Sequence, residues 1–247
     1  MANWSDPRTS AAPYAGVQAD ARDAGLRAYM LSVYNYMASG VLLTGLVALL
    51  FAWGDPIEAS PAYQVFAQGG ALAWIIVLSP LAIVFAMSFG QNRMSQGTLQ
   101  TLYWAFAILM GLSLSTVLLR YTGTSVAQAF FATAAGFAGL SLWGYTTKKD
   151  LSGFGTFLIM GLVGIIVASL LNLIFRSQAM DFVISVAGVL IFAGLTAYDT
   201  QKIKSIYAHV AGTEMQGKVV IKGALKLYLD FINMFLFLMR LFGSSRS

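Results

Sequence analysis

Charge is scarce in this chain, and cysteine is missing altogether. Only 10% of its 247 residues are Asp, Glu, Lys or Arg, against about 25% in a typical soluble domain. Ten acids and fifteen bases are too few to hydrate a soluble fold in which 58% of the residues are apolar. The mean hydropathy of +0.72 points to a lipid bilayer instead. Without cysteine there is no disulfide scaffold and no thiolate site for zinc or iron–sulfur clusters. One histidine, His209, leaves little for catalytic triads or metal ligation. There is no H-E-x-x-H, no Walker loop and no strand-associated G-x-G-x-x-G. The net charge of +5 comes from scattered bases, so it speaks to orientation in a membrane and not to nucleic-acid binding.

What the chain does have is long uncharged apolar runs. Residues 1–28 hold Pro7, Pro13, Arg8, Arg22 and Arg27 with many Ala and Ser, and are expected to form a mobile, water-exposed tail. They lack the apolar core of a signal peptide, so the first hydrophobic segment is expected to serve as its own uncleaved signal. A helical span needs roughly 20 apolar residues. Seven blocks qualify within 29–243: 29–53, 70–90, 99–119, 126–146, 154–175, 181–206 and 223–243. Residues 244–247 are left as a short C-terminal tail. The blocks are apolar on all faces, which is the helical and not the barrel pattern. The short breaks between them predict antiparallel neighbours in one bundle.

Lys and Arg fall on one side of this plan. With the tail inside, the inner segments carry ten of them and the outer breaks only Arg120 and Arg176. A cytoplasmic N-terminus and seven spans follow. Asp230 and Arg240 weaken the last span, which leaves a re-entrant final segment as the alternative. Small residues four apart, Gly40 and Thr44, Ala135 and Gly139, Gly164 and Ala168, are expected to be helix-packing positions.

Two acids stand within the helical blocks, Asp199 in AYDTQKIK and Asp230 in LYLDFINMF. A buried aspartate costs roughly 2.5–3.5 kcal/mol at the middle of a span. Each lies about 10 Å from the inner end of its block, at 1.5 Å per residue. Their helices are joined by one break, so the carboxylates are expected to meet. Two close carboxylates cannot both ionise cheaply, so such a pair shares a proton, and once charged it attracts a cation such as Ca²⁺. Asn233, one turn after Asp230, is placed to hydrogen-bond to it. The alternative is structural: Lys202 and Lys226 each pair with the aspartate of their own helix. Arg93, after the second block, is either a latch for these acids or a positive-inside anchor. Gly111-Leu112-Ser113 is similar to a serine motif of intramembrane proteases. Its chemistry requires a histidine on a neighbouring helix, and His209 sits in a polar break, so no enzymatic activity is expected.

The stretch from Ala224 through Lys226, Tyr228, Asp230 and Asn233 to Gly243 closely resembles the last helix of the Bax inhibitor family. Tyr198-Asp199-Thr200-Gln201 resembles the end of that family's sixth helix, and Lys148-Lys149-Asp150-Leu151 its fourth break. The resemblance covers residues 29–243 and is to a bacterial-type member. It implies an all-α, seven-transmembrane-helix bundle with the last helix central. It also implies a pH-sensitive calcium leak in which Asp199 and Asp230 form the proton sensor and contact the metal ion. Arg93 is the nearest match to a latching arginine. The implied partners are the bilayer, calcium and protons, in a bacterial inner membrane, with no cofactor beyond weak, transient Ca²⁺. The alternative it carries is a non-conducting regulator of a membrane-bound ATP-dependent protease. One departure is visible: some calcium-conducting relatives carry an acid in the second helix, where this chain reads Leu78-Ser79-Pro80-Leu81.

Overall fold

The structure, a computed structural model, describes residues 7–90 and 93–246, with side chains from Arg22 onward. Among the described residues there are eight α-helices and no strand. They are α1 (Pro7–Phe51), α2 (Pro61–Ala67), α3 (Ala71–Gly90), α4 (Gln96–Arg120), α5 (Gly123–Thr146), α6 (Ser152–Phe175), α7 (Gln178–Val210) and α8 (Met215–Phe242). Six are long and apolar enough to cross a membrane: α1 over Arg22–Phe51, then α3, α4, α5, α6 and α7. Their outward faces carry large apolar side chains such as Leu50, Trp74, Phe131 and Ile174. This is the surface of a multi-pass membrane protein, whose solvent on that face is lipid.

Helix starts follow capping chemistry more closely than apolar runs do. The Ser95, Thr122 and Ser177 hydroxyls accept backbone N–H groups at the starts of α4, α5 and α7. A cap satisfies donors that would otherwise be orphaned, so each helix begins about three residues before its apolar block. The break at 54–69 is not a plain linker. It folds into a 3-10 turn, Ile57–Ala59, and then α2, capped by the fully buried Ser60 with Pro61 at its first position. The segment expected as a tail also changes character. Residues 1–6 lie outside the described residues, but α1 begins at Pro7. Leu26 packs on the core beside Tyr29, whose ring meets Tyr207 of α7.

α8 packs against α1, α4, α5 and α7. It is one uninterrupted helix, buried from Val220 to Met239 on all but one face, along which Lys222, Lys226, Leu229, Asn233 and Arg240 stand. Its C-terminal end meets the α4–α5 turn: Thr122 N–H donates to Ser244 O (3.0 Å) and Arg246 N–H to Arg120 O (2.9 Å). Ser244 and Arg246 are thus tied to the α4–α5 turn. Polar ties cross the apolar core. The Thr44 hydroxyl donates to the Ala107 carbonyl (2.8 Å) and lies 2.7 Å from the Tyr228 hydroxyl, joining α1, α4 and α8. Thr44→Val keeps the shape but orphans these partners. It is expected to lower stability by about 1–2 kcal/mol, read from thermal unfolding in detergent.

Of the small-residue pairs, Gly40 and Thr44 do sit at a helix contact, against Tyr103 and Tyr228. Gly139 and Gly164 face open space. The closest backbone approaches lie elsewhere. A side chain at Gly144 would collide with the Ala197 carbonyl, and one at Gly111 with the Thr44 carbonyl. These glycines let α5 reach α7, and α4 reach α1.

Candidate functional site

Asp199 and Asp230 come together. Asp199 is 1% exposed and Asp230 4%, and their carboxylates are within hydrogen-bonding reach of each other. The α7–α8 contact is the most extensive in the bundle, which brings the two depths into register. Asp199 stands eleven residues before Val210, about 17 Å along the axis. That exceeds the distance to the end of the apolar block because α7 runs on past it to Val210.

The lysines do not follow the own-helix pairing of the structural alternative. Lys226, on α8, crosses to α7 and donates to Asp199 Oδ1 (2.5 Å). Lys202 stays exposed and donates instead to the Tyr198 hydroxyl (3.5 Å). Asp230 Oδ2 is buried with no hydrogen-bond partner. The arrangement is therefore a triad: one ammonium and two carboxylates, with the cation on one acid and the second acid against the first. An ammonium that is 43% exposed keeps much of its hydration while neutralising one buried charge.

Two supporting roles fall differently from expectation. Asn233 lines the same cavity as Asp230, but its amide donates to Leu229 O of its own helix (2.8 Å). The side chain folds back on its own helix and shares the i−4 carbonyl with the backbone N–H. Arg93 is exposed in the turn after α3 and forms no ion pair with either aspartate among the described residues. α3 packs on α4 and not on α7 or α8, so Arg93 is held away. The cation at the pair is Lys226.

A crevice of about 1080 Å³ leads to the triad. It runs between α6, α7 and α8, from Arg120, Asp181 and Arg240 at one end of the bundle to Asp199, Lys226 and Asp230 at depth. The other end of the bundle carries Lys148, Lys149, Lys202, Lys204, Lys218 and Lys222, and is called the basic end below. Between the triad and the basic end the core is closed by Ile203, Leu227, Ile221 and Tyr29, all at most 3% exposed. The Tyr29 hydroxyl donates to the Ile203 carbonyl there (3.3 Å).

Of the polar residues near the site, Ser141 and Tyr34 carried no periodic signal and were missed. Thr200 and Ser141 hydroxyls lie 2.9 Å apart, and the Tyr34 hydroxyl donates to Ser141 (3.3 Å). Gln201 receives the Leu151 N–H (2.9 Å) and donates to Lys149 O (2.8 Å). So the Tyr198–Gln201 motif and the Lys148–Leu151 motif meet in space. Beside them the Ser152 N–H and hydroxyl hold the Asp150 carboxyl below the usual carboxylate range. Ser113 has a structural partner. Pro80 offers no N–H to Ile76 O, and the Ser113 hydroxyl donates there instead (2.8 Å).

Comparison with known proteins agrees with this picture. Residues 26–247 match the family described as "Inhibitor of apoptosis-promoting Bax1". The chain is 46% identical to an uncharacterized protein of Rickettsia prowazekii over 91% of this chain and 92% of that one. It is 43% identical to inner membrane protein YbhL of Escherichia coli, over 90% and 94%. An uncharacterized membrane protein of Streptococcus pyogenes is 37% identical over 90% and 94%.

Proposed function

The chain belongs to the Bax inhibitor family, and on that premise we propose that it is a pH-gated cation leak, with Ca²⁺ the expected ion. The observation that carries the proposal is the aspartate pair at the blind end of the crevice. The bundle has seven spans in this proposal, with α8 central: most of its surface is buried, and the remaining face, with Lys226, Leu229, Asn233 and Arg240, lines the crevice. The membrane is the inner membrane, as the name of the Escherichia coli relative supports. The basic end faces the cytoplasm by the positive-inside rule. The crevice then opens to the outer side, and the packed layer around Tyr29 and Ile203 is the closed inner gate.

In the closed state Asp199 and Asp230 share a proton while Lys226 offsets the remaining charge. Loss of that proton leaves two carboxylates facing one ammonium. Repulsion moves α8 against α7, and the Ile203–Leu227 layer opens. A few kcal/mol of differential proton affinity between two helix arrangements suffices to shift the population. Among the described residues no third Asp, Glu or His joins the pair. Ca²⁺ prefers six to eight oxygen ligands, so its stay at two carboxylates is brief, as passage requires.

The test is Ca²⁺ flux into proteoliposomes from pH 6 to pH 8. Asp230→Asn is expected to abolish the pH dependence. If that variant keeps both the wild-type flux and its pH profile, the proposal fails.

A second reading has its own support. No acid stands in α3, and the crevice lining balances three bases, Arg120, Lys226 and Arg240, against three acids. Such a lining attracts cations weakly, which favours a non-conducting regulator of a partner such as a membrane-bound ATP-dependent protease. Removing residues 1–21 spares Leu26, which packs on the core. That truncation is expected to abolish a tail-mediated interaction and leave a leak intact, as judged by co-purification and flux.

A further inference from the structure

We propose that the crevice between α1 and α5 binds one acyl chain of an anionic phospholipid, with the head group at Arg27. α1 and α5 lie side by side without close packing, tied at the base by the Tyr34–Ser141 hydrogen bond (3.3 Å). The gap between them is about 750 Å³ and is walled by Met30, Tyr34, Met37, Phe130 and Phe137. Small side chains, Ala38, Ala134 and Ala138, keep it open. Phe231 of α8 forms its floor.

Length and charge select the occupant. From Arg27 to Leu42 the crevice follows fifteen residues of α1, about 22 Å. That is half of the roughly 40–45 Å thickness of a bilayer with its head groups. A single chain reaching from one surface to the midplane has this length. A second gap of about 360 Å³ continues beyond Leu42, and no charged residue lines it. The charge is all at the basic end. Arg27 lines the mouth, while Lys204 is engaged behind it, donating to the Tyr145 carbonyl (2.6 Å). Asp23, one turn before Arg27, is the acid on the same helix, and it lines a separate hollow with Arg22 and Lys204. Neither Arg27 nor Lys204 forms an ion pair among the described residues. Arg27, the charged residue that lines the slot, stands at its mouth and fits a phosphate ester carrying a net negative charge.

The consequence concerns α8. The Asp230 side of that helix faces the crevice of the triad, while Phe231 faces the lipid slot. A chain in the slot bears on the same helix turn as the aspartate pair, from the other side.

The experiment is native mass spectrometry of the full chain, released from detergent after exposure to equal phosphatidylglycerol and phosphatidylcholine. The wild type is expected to retain one phospholipid, with phosphatidylglycerol favoured about fivefold. Ala138→Phe fills the slot and is expected to lose the bound lipid. Arg27→Gln is expected to keep a lipid but lose the preference. Ala38→Phe, on the opposite wall, serves if Ala138→Phe fails to keep wild-type helicity. Equal retention of the two lipids by the wild type overturns the proposal. So does undiminished lipid in a folded slot-filling variant, or a protein dimer in place of the lipid. None of these readings depends on whether the chain conducts ions.

Discussion

Replacing Lys226 with methionine is expected to move the pH midpoint of the Ca²⁺ leak upward by about one unit, cutting the flux at neutral pH roughly tenfold. Lys226 is the cation bonded to Asp199, and methionine matches its length without its charge. An adjacent ammonium favours the ionised form of a carboxylate. Without it the Asp199–Asp230 pair keeps its shared proton to higher pH, so the pathway opens later. Of the other groups facing the pair, only Lys202 carries a positive charge near Asp199, and it compensates in small part. Tyr198 is an uncharged ring 5.6 Å from the Lys226 nitrogen, Lys202 is turned to solvent, and Asp181 and Arg240 lie toward the far mouth of the crevice. Half exposure of Lys226 limits the effect to about one unit, since water already screens part of its charge. Lys226→Arg keeps the charge and is expected to hold the midpoint. A methionine variant with an unchanged midpoint, or one moved to lower pH, removes Lys226 from the gate.

The fold was legible where physical signals were long, and less so where they were local. Apolar runs of about twenty residues located the spans because lipid forces every backbone group into a helix. Their ends were misplaced because capping hydroxyls such as Ser95 and Ser177 act over three residues, below the reach of a hydropathy average. The 54–69 break hid a helix for the same reason: Ser60 and Pro61 start it, and seven residues make no apolar block. At the site, scarcity of charge singled out Asp199 and Asp230, and their meeting follows from one short connection between α7 and α8. The partner of each lysine was not legible. Own-helix spacing allowed Lys202–Asp199 and Lys226–Asp230 equally. The choice of Lys226 for Asp199 depends on how α8 is rotated against α7, a quantity fixed by packing around Gly188 and Phe237 and not by any residue spacing. Arg93 shows the converse. Its place in the sequence fits a latch, but α3 docks on α4 and carries it away from the pair.

Opposite stability changes are expected from neutralising the two aspartates one at a time. Asp230 Oδ2 is buried without a partner, a position that costs free energy whether the oxygen is charged or merely polar. Asp230→Asn removes the possible charge and turns an amide donor toward the Asp199 carboxylate, which still keeps Lys226. The variant is expected to melt at or above the wild-type temperature, by about 2–4 °C for each kcal/mol gained. Asp199→Asn does the reverse. It removes the only salt bridge among the described residues, and leaves Asp230 buried beside an amide. Lys226 is exposed enough to turn to water, so the loss falls below that of a fully buried pair, at about 2 kcal/mol. The sign also depends on pH. In the wild type, rising pH strips the shared proton and sets two carboxylates against one ammonium, whereas Asp230→Asn never meets that repulsion. Its advantage is therefore expected to grow from pH 5 to pH 8, measured as Tm in one detergent. An Asp230→Asn protein that melts below the wild type at pH 8, with Asp199→Asn above it, would place the burden on the other carboxylate and reverse the assignment of which acid Lys226 serves.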